Sequence, residues 1–101
     1  KPSQEGFALE QILRAFRPSQ PYFWATHGGA ELDLFFVHKG RRLGFEVKFN
    51  EAPKVTASMR VALEDLRLDH LWVVHPGHHG FPMADRVTAV PLPELTASLG
   101  D

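Results

Sequence analysis

Two apolar runs, Glu31 to His38 and Arg42 to Phe49, stand on either side of Lys39-Gly40-Arg41. Runs rich in aromatic and β-branched residues around a short glycine-containing break predict an antiparallel hairpin. That hairpin constrains everything else. A two-stranded ribbon is marginal alone and needs more strands and a covering layer. Alternation places Leu43, Phe45, Val47 and Phe49 on one face of the second strand and leaves Gly44, Glu46 and Lys48 on the other. In the first strand Asp33 falls with Glu31, Phe35 and Val37.

The covering elements can be read on both sides. From Ser3 or Gln4 to about Phe16, Ala8, Leu9, Ile12, Leu13 and Phe16 form one helical stripe, with Glu10, Gln11, Arg14 and Arg17 opposite. Glu5 lies on the middle of that stripe, one turn before Leu9. Pro18 and Pro21 stop the helix. Tyr22-Phe23-Trp24-Ala25-Thr26 predicts a strand, and His27-Gly28-Gly29-Ala30 a turn. After the hairpin, Asn50 to Lys54 is a loop, and Thr56 or Ser58 caps a second helix with Met59, Ala62, Leu63 and Leu66 on its core face. Leu71 to His75 is a continuous apolar run and so a buried strand. Pro76 to Pro82 is turn-rich, Val87 to Val90 forms a short strand, and Pro93 opens a terminal helix through Leu99. The order is α-β-β-β-α-β with a short β-α tail and a mixed central sheet.

With 101 residues, 44% hydrophobic and 23% charged, residues 1–101 form one small domain. No apolar run is long enough for a membrane span, and no signal-peptide pattern opens the chain. The absence of cysteine excludes disulfides and thiolate zinc sites, and it fits a reducing, cytoplasmic setting. A start at Lys1-Pro2-Ser3 suggests a piece of a longer protein. The formal charge of −1 gives no global basic field, so any nucleic-acid contact must be local.

Asp33, Glu46 and Lys48 carry the chemistry. Mg²⁺ takes oxygen ligands and is commonly held by one or two carboxylates with water and phosphate. An ammonium one strand-step away can orient a water or stabilise transition-state charge. If the hairpin register brings the three together, they converge beneath the first helix, where Glu5 can complete the shell. A slip of one residue would separate them. The plain alternative is a solvated strand face with a cross-strand ion pair. Against it, both acids interrupt apolar strands, where unpaired charge is costly.

This arrangement resembles the PD-(D/E)XK nuclease-like superfamily, built on the three-layer restriction-endonuclease α/β core. The resemblance implies Asp on the second strand, Glu-x-Lys on the third and Glu on the first helix, here Asp33, Glu46-Val47-Lys48 and Glu5. More narrowly, the chain is similar to the C-terminal domain of many prokaryotic AAA-type ATPases. The phrases that carry this are Glu5-Gly6-Phe7, Tyr22 to Thr26, Gly29 to Asp33, Phe45 to Lys48 and Leu71 to Gly77, which together cover nearly the whole chain. A basic residue often stands where this chain has Ala25, which weakens a phosphate or partner contact. The resemblance implies a Mg²⁺- or Mn²⁺-dependent phosphodiesterase acting on nucleic acid, with an ATPase module N-terminal to it. No Gly-x-x-x-x-Gly-Lys-Ser/Thr occurs, so no P-loop ATP site is expected in this chain. The competing expectation is a non-catalytic module that docks the ATPase onto a partner.

Other candidates read as ordinary structure. His75, His78 and His79 in a proline- and glycine-rich stretch are expected to be surface histidines. His27-Gly28-Gly29 is a plain turn, since no nucleophile elbow accompanies it. Arg41 and Arg42 belong to a solvated hairpin. Most of Tyr22, Phe23 and Trp24 are expected in the core, although aromatics can stack on bases. Glu31 ranks below Asp33 as an assisting acid.

Overall fold

The computed structural model describes residues 3–99; the ends of the expected 1–101 domain lie outside them. The elements are α1 (Gln4–Phe16), β1 (Tyr22–Ala25), β2 (Glu31–His38), β3 (Arg41–Val47), α2 (Ala57–Asp65), β4 (His70–His75), β5 (Phe81–Ala84), β6 (Val87–Pro91) and α3 (Leu92–Leu99). The expected order holds. The addition is β5, inside the stretch read as a loop: Pro82 weakens its strand signal, but edge strands tolerate proline.

One six-stranded mixed sheet runs β1-β2-β3-β4-β6-β5. β1, β2 and β3 are antiparallel neighbours, β3, β4 and β6 run parallel, and β5 returns antiparallel to β6. Lys39 and Gly40 turn the central hairpin with φ of 51° and 79°, the paired positive values of a tight two-residue connection.

Two cores lie on opposite faces of the sheet. Ala8, Ile12 and Phe16 of α1 and Leu95 of α3 cover Leu34, Phe36, Leu43, Phe45 and Val47. Met59, Ala62 and Leu63 of α2 cover Leu32, Phe35, Leu71 and Val73. Ser3 caps α1 by accepting from the Gly6 N–H, and Thr56 caps α2 by accepting from Met59 N–H. Among the described residues no helix is long and apolar enough to cross a membrane.

The faces of β2 depart from simple alternation. Leu34 and Phe36 face α1, yet Leu32 lies with Phe35 on the α2 side. The register explains this: Tyr22 pairs with Phe35 and Trp24 with Leu32, so two steps along β1 match three along β2. A bulge therefore sits at Asp33 and reverses the alternation there. Tyr22 and Phe23 are 51% and 64% exposed, which corrects their expected place in the core. β1 is an edge strand: Trp24 packs partly against the α2-side cluster, and the exposed Tyr22 ring stacks on Phe35 with centroids 6.2 Å apart.

Candidate functional site

The β2–β3 ladder runs from His38↔Arg41 to Leu34↔Phe45 and stops one pair before Asp33 would face Glu46. The two side chains occupy the place of the missing ladder bonds. The Asp33 carboxylate Oδ2 accepts from the Val47 N–H at 2.9 Å, and Glu46 Oε1 accepts from the Asp33 N–H at 3.1 Å. Each acid is thus clamped by the other's strand, so the bulge that breaks the ladder also fixes the carboxylates.

Lys48 follows the last residue of β3. Its N–H still donates to the Val74 carbonyl at 2.8 Å, which holds the backbone against β4. Its ammonium Nζ lies 3.5 Å from Glu46 Oε2 and 3.5 Å from Glu51 Oε1. The Glu46 and Lys48 side chains are 13% and 24% exposed, against 63% for Glu51.

Burial, and then the neighbouring Asp33 charge, push the Glu46 carboxyl up to about 7, although Lys48 and the Asp33 N–H pull the other way. Burial lowers Lys48, but Glu46 and Glu51 together outweigh it and its net shift is upward. The ammonium is therefore firmly charged, while the Glu46 carboxyl takes up a proton near neutral pH. The Asp33–Glu46 pair has a deficit of positive charge at its centre.

The structure brings Asp33, Glu46 and Lys48 together as expected, but not beneath the first helix. Gly44, two residues before Glu46 on the same face, has its missing Cβ position 2.7 Å from Leu68 Cδ1 and 3.0 Å from Leu32 Cδ2. Both leucines belong to the α2-side core. The parity read from sequence is right for β3 and broken at Asp33 by the β2 bulge, and the helix assigned above the site is corrected: α1 takes the Leu43-Phe45-Val47 face because that face is continuously apolar.

Glu5 lies in the first turn of α1 and is exposed, so it is not the core-facing acid its stripe position suggested. Among the described residues no group of three or more His, Cys, Asp or Glu side chains gathers to hold a metal, so Glu5 does not join the pair. Glu31 is exposed, and its N–H donates to Ser58 Oγ at 3.4 Å. The acid that sequence reasoning passed over is Glu51; its signal was the spacing of three residues from Lys48 across a bend.

His75 also needs correction. It is 6% exposed, with Nδ1 accepting from the Gly77 N–H at 2.9 Å, while His78 and His79 are exposed as expected. A glycine is needed at 77 because a Cβ there would lie 2.6 Å from the His75 ring.

No solved structure matches the chain. An uncharacterised protein of Mycobacterium tuberculosis and one of Mycobacterium bovis are each 46% identical to it over 93 residues, 92% of this chain. The chain spans only 21% of the length of either relative. Over residues 2–95 it matches the family described as a domain of unknown function, DUF4143, and it belongs to that family.

Proposed function

We propose that the domain is a Mg²⁺- or Mn²⁺-dependent phosphodiesterase of restriction-endonuclease-like architecture, acting on nucleic acid as the C-terminal part of a prokaryotic ATPase. The observation that carries this reading is the clamped Asp33–Glu46 pair with Lys48 beside it. Two carboxylates from neighbouring strands point into one break in a sheet, and the lysine two residues after Glu46 pairs with it.

The residues suit a hard divalent cation. Asp33 and Glu46 offer oxygen donors, and their mutual repulsion, part of what raises Glu46, is relieved by a cation between them. With two carboxylates, water and phosphate oxygens would fill the rest of the shell. A bound Mg²⁺ or Mn²⁺ supplies Lewis-acid polarisation of a phosphoryl oxygen and acidifies a water. The chain's own residues do the remaining work. The Val47 and Asp33 N–H groups hold the two carboxylates in place, so no side-chain ordering is left for the moment of binding. The Lys48 Nζ presents positive charge to the non-bridging oxygens, where negative charge grows in phosphoryl transfer.

The test is metal-dependent cleavage of DNA and RNA by this chain and by its Lys48→Ala and Asp33→Ala variants. Each substitution is expected to lower cleavage by about a hundredfold or more. Cleavage that persists in both variants sinks the assignment. A second reading, a docking module that keeps the fold without the chemistry, is favoured by the exposed Tyr22 and Phe23 on the free edge of β1. It expects no cleavage from the parent chain and loss of partner binding on Phe23→Ser.

A further inference from the structure

Lys48 has two carboxylate partners at the same distance, and they differ in every other respect. Glu46 is 13% exposed and tied at Oε1 by the Asp33 N–H. Glu51 is 63% exposed, lies at a bend beyond the end of β3, and reaches Lys48 from three residues away. An ion pair between a fixed, half-buried ammonium and a solvated carboxylate contributes little, because the acid loses little water and gives up side-chain freedom. The Glu46 contact is built into the sheet, whereas the Glu51 contact can be given up at small cost.

We propose that Glu51 is a displaceable stand-in for substrate: its carboxylate covers the side of the Lys48 ammonium that a phosphoryl oxygen takes when substrate binds. This rests on the site reading above and deepens it, since it makes Glu51 the residue that sets affinity for the phosphate group. An ammonium has three donors and no acceptor. Glu46 and Glu51 engage two of them, so an incoming phosphate meets the Glu51 charge beside the remaining donor and competes with it on the exposed side. A carboxylate offers the same paired anionic oxygens as a phosphodiester, so the exchange keeps Lys48 charged and paired throughout. Glu51 also places a negative charge where an anion must arrive, and so raises the phosphate concentration needed to occupy the site. Glu51 acts through Lys48 and is a positioning residue.

The experiment measures binding of inorganic phosphate, without metal, by the NMR shift of the Lys48 ε-methylene in the parent chain and in Glu51→Gln, Glu51→Asp and Lys48→Met. For Lys48→Met, binding is followed by backbone amide shifts at Val47 and Lys48's position. Removing the competing charge is expected to tighten phosphate about three- to fivefold in Glu51→Gln. Glu51→Asp, which keeps the charge, should return most of the way to the parent. In any cleavage assay Glu51→Gln should lower KM with little change in kcat. Unchanged or weaker phosphate binding in Glu51→Gln, with binding lost in Lys48→Met, overturns the stand-in role and leaves the site reading intact. Equal binding in the parent and Lys48→Met overturns both. Because Glu51 is largely exposed, its variants should melt close to the parent, and Glu51→Ala gives a second removal of the same charge.

Discussion

At the scale of the residue, Glu46 is the informative group because its position is unfavourable to its own charge. Its carboxyl sits near pH 7 in the folded chain, through burial first and the Asp33 charge second, against an ordinary value of 4.5. For a raised carboxyl the folded state holds its proton more tightly than the unfolded one. The stability this gives is complete below pH 4.5 and is lost as pH rises through about 7. Glu46→Gln has no proton to lose and can still accept from the Asp33 N–H. In chelator, its melting temperature relative to the parent is therefore expected to rise by roughly 5–10 °C between pH 5 and pH 8. A difference that stays flat over that range would show that Glu46 is not protonated in the fold. An acid kept at such a cost marks Glu46 as a candidate for a binding role rather than part of a solvated strand face. Sequence parity was enough to put Glu46 and Lys48 on one face, since β3 alternates without interruption. It could not rank Glu5 against Glu51. Helical spacing says which side of α1 Glu5 occupies but not how far the core extends along that side, and the apolar contacts begin at Ala8.

At the scale of the element, the site is made by a defect. The ladder of β2 and β3 ends at Leu34↔Phe45, and the extra residue in β2 turns Leu32 to the α2 side. A bulge has no fixed composition, so the sequence around Asp33 looks like any half-apolar strand. The same limit concealed β5 and the exposure of β1, because edge strands carry the residues of turns or of cores depending on what covers them. Helix starts were legible, since Ser3 and Thr56 have local partners. One row from the site, Gly44 lets Leu68 and Leu32 close over β3. Both leucines are fully buried, at 1% and 0% exposure. Gly44→Ala is expected to destabilise by about 1–3 kcal/mol through overpacking, read as a lower urea midpoint with unchanged slope. An unchanged midpoint would mean that the α2-side core does not close on β3 as described.

At the scale of the whole molecule, the sheet explains why the site stands where it does. β3, β4 and β6 run parallel, so their C-terminal ends share one edge. Glu46 near the end of β3 and Lys48 just beyond it stand at that edge, and the antiparallel β2 brings Asp33 there from its opposite end. In open α/β sheets the loops beyond the carboxyl ends of parallel strands leave room for ligands, because the connections to the covering helices diverge. α1 and α2 lie on opposite faces, so on the proposed reading a cation at the edge would be reached by the strand carboxylates without help from Glu5. A net charge of −1 gives no long-range pull on an anion, so on the proposed reading a locally bound cation would be the means of attracting phosphate. Ligand binding to the folded state raises its stability by mass action. Millimolar Mn²⁺ at pH 8 is therefore expected to raise the melting temperature of this chain by a few degrees, about 4 °C or more for each kcal/mol of linkage. The rise should vanish in Asp33→Asn and persist in Glu5→Gln, whose side chain belongs to the other layer. A shift lost in Glu5→Gln would mean that α1 supplies a ligand after all. A shift kept in Asp33→Asn would move the cation away from the break between β2 and β3.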